Sequence, residues 1–294
     1  MTSASGLPVF PPSPFELGTA PPTDVVRPAS GLVARADGLR VSYRGQTVWS
    51  DASFTVGRGE FVAVIGPNGA GKTTLFRLLL GLVRPTAGTL EVFGAPPRRG
   101  NPKIGYVPQN HAVDRDTNVE AVQLVRLGFS GNRWVPNLTP RRLARERQAT
   151  DEALRSVGAT ELAKKPLGAM SGGELQRIFL AEALASDPEL LLLDEPLANL
   201  DIRRAIELVE LVHRLVKTRN VATPLVAHDI NPLIRCLDKV VYIANGRVAT
   251  GSPTQVLTTK SLSALYGVPV EVLHDSRGNL VIVGGEDFHQ DPER

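Results

Sequence analysis

The chain has 294 residues, 33 Lys and Arg against 30 Asp and Glu, a formal charge of +3 and 42% hydrophobic residues. This is globular composition, and a charge so near balance gives no electrostatic reason to expect a nucleic-acid binder. No stretch reaches the roughly 18 consecutive apolar residues that span a bilayer, and one cysteine, Cys236, excludes an internal disulfide framework or a cysteine-cluster metal site.

In chain order, the first 35 residues read as a disordered tail. Seven of the 23 prolines fall before residue 30, among Ser, Thr, Gly and Ala, with no apolar period. The first basic residue is Arg27 and prolines interrupt everything before it, so no secretory signal is read and a cytoplasmic chain is expected. From Gly38, alternation through Leu39, Val41 and Tyr43, then Val48, Phe54 and Val56 after a Gly45 turn, predicts a small antiparallel sheet. Glu60 to Gly66 is a continuous apolar strand of the kind buried on both faces, followed by a glycine-rich turn and a helix over 71–80. Gly105 to Val107, Leu190 to Leu193 and Val221 to Ala227 are further buried-strand candidates, the last short or bulged at Pro224. Between them lies a mostly helical insertion, 111–170, including a helix with Thr139 as N-cap, Pro140 at its first position and Gly158 just beyond its end. Apolar residues at 205, 208, 209, 212, 215 and 216 mark one face of a helix over 201–218. Val240 to Val248 reads as a hairpin turning on Asn245 and Gly246, and a short strand pair is expected between Val270 and Val283.

Gly66, Pro67, Asn68, Gly69, Ala70, Gly71, Lys72, Thr73 and Thr74 match G-x-x-x-x-G-K-[ST] between a predicted strand and a predicted helix. Glycines let backbone N–H groups surround phosphate oxygens, and the helix aims its positive end at the same place. Lys72 then reaches the β- and γ-phosphates, and the Thr73 hydroxyl is a ligand for Mg²⁺. Leu190 to Leu193 ends in Asp194 and Glu195, which puts carboxylates where doubly wound sheets hold ligands. Asp194 is the second candidate for Mg²⁺, through its water shell, and Glu195 is the base that accepts a proton from the attacking water. Between these motifs runs Met170-Ser171-Gly172-Gly173-Glu174. Ser171 with Glu174 is a capping box, but two glycines in a first helical turn are costly unless something must approach the backbone, and a second phosphate is a natural candidate.

On these residues the chain resembles the ATP-binding subunits of ABC transporters, whose signature Leu-Ser-Gly-Gly-Gln is approximated by residues 170–174. The resemblance covers about 38–250. It implies that Tyr43 stacks on adenine, that Gln109 senses Mg²⁺ and couples to membrane subunits, that Asn199 to Asp201 forms the D-loop, and that His228 contacts the γ-phosphate. The implied fold is α/β: a P-loop NTPase core with a mostly parallel sheet, an antiparallel β subdomain and a helical subdomain over 36–250, then a C-terminal extension over 251–294. Two copies then pair head to tail, with the ATP of one capped by Ser171 and Gly173 of the other. One chain offering two phosphate-type helix ends but only one P-loop agrees with such a pair.

Glu174 departs from the usual Gln and is expected to weaken ATP-driven closure mildly by adding negative charge. The texture around Lys103 to Gln109, Val113-Asp114 and the tail after the hairpin is most similar to the zinc and manganese importer group. That implies ATP and Mg²⁺ as cofactors, separate integral membrane permease subunits, a substrate-binding protein outside the membrane, and a peripheral place on the cytoplasmic face. An importer of another substrate, or a soluble ATPase of the family without a transporter, stands as the alternative.

Overall fold

The structure, a computed structural model, describes residues 31–43, 46–109, 113–130, 139–198, 200–266, 268–274 and 280–283. Its strands are β1 (Leu32–Tyr43), β2 (Gln46–Gly57), β3 (Phe61–Ile65), β4 (Ala87–Val92), β5 (Ile104–Val107), β6 (Leu190–Asp194), β7 (Thr223–Val226), β8 (Lys239–Ala244), β9 (Arg247–Gly251), β10 (Glu271–His274) and β11 (Leu280–Val283). Its α-helices are α1 (Lys72–Leu79), α2 (Ala121–Ser130), α3 (Pro140–Ser156), α4 (Gly172–Leu184), α5 (Ile202–Arg219), α6 (Pro253–Val256) and α7 (Thr259–Tyr266).

The central sheet has the order β5-β6-β7-β3-β8-β9, parallel except for the β8–β9 hairpin. β3 and β6 are buried at every position, as their unbroken apolar runs require when helices cover both faces. β7 is short, and Pro224 shows why. Thr223 and Ala227 donate their N–H groups to Glu60 and Val64 on the β3 side, so the intervening Pro224 turns its nitrogen toward β6. There the pairing skips from Leu190↔Ala222 to Leu193↔Leu225 in unchanged register, and the gap falls where proline has no N–H to give to the ladder. The β8–β9 turn places Asn245 and Gly246 at φ 50° and 72°, both positive as a type I′ turn demands.

β2-β1-β4 form the expected antiparallel sheet. β1 begins at Leu32, inside the segment read as tail to residue 35. Val33 and Ala34 are buried, and Ala34 pairs with both Val56 and Val92. The proline-rich composition obscured the first strand residues; the rest of the tail, 1–30, lies outside the described residues. Trp49, Phe54 and Val56 from this sheet join Val62, Val64, Phe76 and Leu192 in one hydrophobic core, which locks the antiparallel sheet to the P-loop side of the central one.

α3 has the sequence-predicted punctuation: Thr139 Oγ1 accepts from the Arg142 N–H, Pro140 is the first helical residue and Gly158 follows at φ 66°. α2 and α3 both pack against α4. Cys236 is half-buried, and burial first, then the charge of Glu210, pushes its thiol pKa up. No described helix is long and apolar enough to cross a membrane.

Candidate functional site

Four adjacent parallel strands deliver the chemistry. β3 runs into Gly66 and the P-loop, β6 ends in Asp194 and Glu195, β7 leads to His228, and β5 leads to Gln109. All these residues leave the carboxyl ends of neighbouring strands, where an open α/β sheet holds its ligands.

The P-loop glycines are required by the backbone. Gly71 caps α1 at φ 103°, and a Cβ there would stand 2.6 Å from Val48 Cγ1 and 2.7 Å from Trp49 Nε1. A Cβ on Gly66 would lie 2.1 Å from the Ile243 carbonyl oxygen, so only glycine passes between β3 and β8. The first turn of α1 contains no acidic residue, leaving its positive end uncompensated. Lys72 is 6% exposed; its Nζ donates to the carbonyls of Gly66 at 2.7 Å and Pro67 at 3.1 Å. Burial lowers its pKa, and the charges of Glu195 and Asp194 act against that. Asn68, Gly69 and Thr73 are exposed, while Pro67, Ala70 and Thr74 are half-buried.

Asp194 and Glu195 are consecutive but diverge. Glu195 adopts φ 51°, a left-handed conformation unusual outside glycine, while its N–H donates to the Val226 carbonyl at 3.1 Å. Its Oε1 lies 2.7 Å from His228 Nε2, and Gln109 Nε2 donates to its Oε2. The three sequence-predicted catalytic residues, Glu195, His228 and Gln109, thus meet at one carboxylate. Asp194 is 2% exposed. Tyr106 donates its hydroxyl to Asp194 Oδ2 at 3.4 Å, and Oδ1 has no hydrogen-bond partner among the described residues. Burial first, then the charge of Glu195, raises the Asp194 pKa; Tyr106, Lys72 and Arg77 oppose it. The phenol of Tyr106 is in turn pushed up to about 12, by burial and then by Asp194. The sequence reading missed Tyr106, although it stands on β5 three residues before Gln109.

The signature segment lies elsewhere on the chain. Ser171 caps α4: its Oγ accepts from the Glu174 N–H at 3.4 Å, and Glu174 Oε2 accepts from the Ser171 N–H at 2.7 Å. Ser171, Gly173 and Glu174 line a groove of about 500 Å³ with Arg177 and residues of α5. None of the P-loop residues and neither Glu195 nor His228 contributes to that groove. A Cβ on Gly172 would meet nothing within 4 Å, and one on Gly173 would meet only Arg204 Cδ at 3.8 Å. Both glycines have ordinary negative φ, so the fold itself has no need of them. Asp201 caps α5, accepting from the Arg204 N–H at 2.9 Å. Tyr43 ends β1; its side chain, like Asn199, lies outside the described residues.

The P-loop, the strand-end carboxylates Asp194 and Glu195, and His228 beside Glu195 have the composition of an ATP-binding, ATP-hydrolysing cassette. Residues 49–198 match the family model described as ABC transporter, and the chain belongs to that family. It is 36% identical over 238 residues to the zinc import ATP-binding protein of Pseudomonas syringae pv. syringae, covering 81% of this chain and 83% of the relative. It is 30% identical over 257 residues to an uncharacterized ABC transporter ATP-binding protein of Methanocaldococcus jannaschii, covering 86% and 98%. Among solved structures, a metal-chelate type ABC transporter in an inward-facing conformation superposes with TM-score 0.74 at 26% identity, covering 86% of this chain and 97% of that one. The α/β fold expected from the sequence is the fold of these cassettes.

Proposed function

We propose that this chain powers a zinc importer, as one of two head-to-tail copies bound to separate permease subunits at the cytoplasmic face of the membrane and served by an extracytoplasmic substrate-binding protein. The 36% identity to the Pseudomonas syringae zinc import ATP-binding protein supports the substrate. The observation that carries the mechanism is the Glu195 carboxylate held between His228 and Gln109.

ATP sits on the P-loop, and Lys72 exchanges its bonds to Gly66 and Pro67 for phosphate oxygens. Glu195 accepts the proton of the attacking water, while His228 orients the γ-phosphate and Gln109 holds the carboxylate in place. The left-handed backbone at Glu195 aims this base away from Asp194. The residues fit Mg²⁺: Asp194 Oδ1 is a buried oxygen lacking a partner among the described residues, and Thr73 supplies a hydroxyl at the start of α1. When bound, Mg²⁺ offsets charge on the β- and γ-phosphate oxygens. Tyr43 serves the adenine, and Asp201 belongs to the facing surface between copies.

The head-to-tail pair is supported by Gly172 and Gly173, which nothing among the described residues requires to be glycine, and by a groove over Ser171 whose lining includes no residue of the chain's own P-loop. Their natural use is close backbone approach to the ATP of a second copy.

Deletion of the gene tests the substrate. Growth should fail in zinc-chelated medium and recover with added zinc; recovery with manganese but not zinc would move the assignment to another metal, and unaffected growth would remove it.

A further inference from the structure

Glu174 lies at the third position of α4, beside Ser171. A bare carboxylate there would repel approaching phosphate oxygens, but this one is not bare. Lys165 Nζ donates to its Oε1 at 2.8 Å and its Oε2 at 2.9 Å. Those bonds first, then the Ser171 backbone N–H, hold the Glu174 pKa below the usual carboxylate range.

Lys165 is delivered from a strapped segment. Its carbonyl accepts from the Ala121 N–H at 3.1 Å, where α2 begins, and its own N–H donates to Leu162 at 2.9 Å. Two residues on, Leu167 donates to Val119 at 2.9 Å and Gly168 to Thr117 at 3.1 Å. The ammonium therefore reaches Glu174 from fixed backbone. The side chains remain 35% and 28% exposed, and an ion pair so open to water contributes little to fold stability. What it does supply is charge balance at the end of a helix.

We infer that Lys165 is a positioning residue of the signature: it cancels the charge of Glu174 and keeps that carboxylate on the Ser171 N–H, so that Ser171 and Gly173 meet the phosphates of a second copy's ATP as a neutral helix end. The inference rests on the head-to-tail reading proposed above. It also revises the expected effect of Glu174, whose charge Lys165 already meets.

The test uses the full chain carrying Glu195→Gln, which slows turnover, and reads by sedimentation the ATP concentration giving half-maximal dimer. Lys165→Met should raise that midpoint about three- to tenfold, and Glu174→Gln, which frees a positive charge, should lower it by a similar factor. The double variant should return to within about twofold of the parent, and both single effects should shrink as salt rises. Binding of ATP to the monomer's own P-loop should not move. A merely structural Lys165 would give a weak double variant and no salt dependence, and either result overturns the inference, as does an unmoved midpoint for Lys165→Met. Absence of any ATP-dependent dimer in the Glu195→Gln parent overturns the head-to-tail reading itself, and the inference with it.

Discussion

His228 Nε2 stands 2.7 Å from Glu195 Oε1, and the other oxygen of the same carboxylate accepts a hydrogen bond from Gln109. One carboxylate is therefore oriented by two side chains from the segments that follow two different strands, β5 and β7. Glu195→Gln keeps the shape but removes the base, so turnover should fall about 10² to 10⁴-fold with ATP affinity retained. Steady-state hydrolysis beside nucleotide titration checks this; a normal rate removes Glu195 from the chemistry.

Two glycine-to-alanine changes should behave in opposite ways. Gly71→Ala forces a Cβ to within 2.6 Å of Val48 and 2.7 Å of Trp49, at φ 103°. Strain of about 1–3 kcal/mol at that point should abolish most ATP binding. Gly172→Ala meets nothing within 4 Å, so thermal stability should stay within about 0.5 kcal/mol while ATP turnover drops. Unchanged turnover in a folded Gly172→Ala chain would remove the argument that these glycines serve a second copy.

Much of this site was legible because phosphate chemistry needs particular residues at close spacing. The P-loop is contiguous, and Asp194 and Glu195 end an unmistakable apolar run. His228 and Gln109 were read by resemblance, since a lone His or Gln carries no period; only the strand order brings them to Glu195. Tyr106 and Lys165 were missed for a related reason. Each acts by a contact across sequence, 88 residues to Asp194 and 9 to Glu174, that no local pattern announces. The start of β1 was lost among prolines and small residues, because burial of Val33 and Ala34 depends on pairing with β2 and β4 rather than on local composition.

Glu182 gives the fold a pH dependence. It lies on α4 against Gly128 of α2, and burial raises its pKa to about 7. The folded chain thus binds this proton more tightly than the unfolded chain. That contribution is complete below the ordinary carboxylate pKa and is lost as pH rises through about 7. Between pH 5 and 8, Glu182→Gln should gain about 1–2 kcal/mol relative to the parent, less than full linkage because water partly reaches the carboxyl. Thermal unfolding at both pH values checks it; a constant difference contradicts the assignment.

The central claim is that each ATP is held by the P-loop of one copy and capped by the signature of another. Lys72→Ala chains and Ser171→Arg chains should each be inactive alone. Mixed in equal amounts, they form hybrid pairs in which one site combines an intact P-loop with an intact signature. Hydrolysis measured on that mixture should recover a clear fraction of parent activity. A mixture as inactive as its components, with hybrid pairs demonstrably formed, would contradict the account.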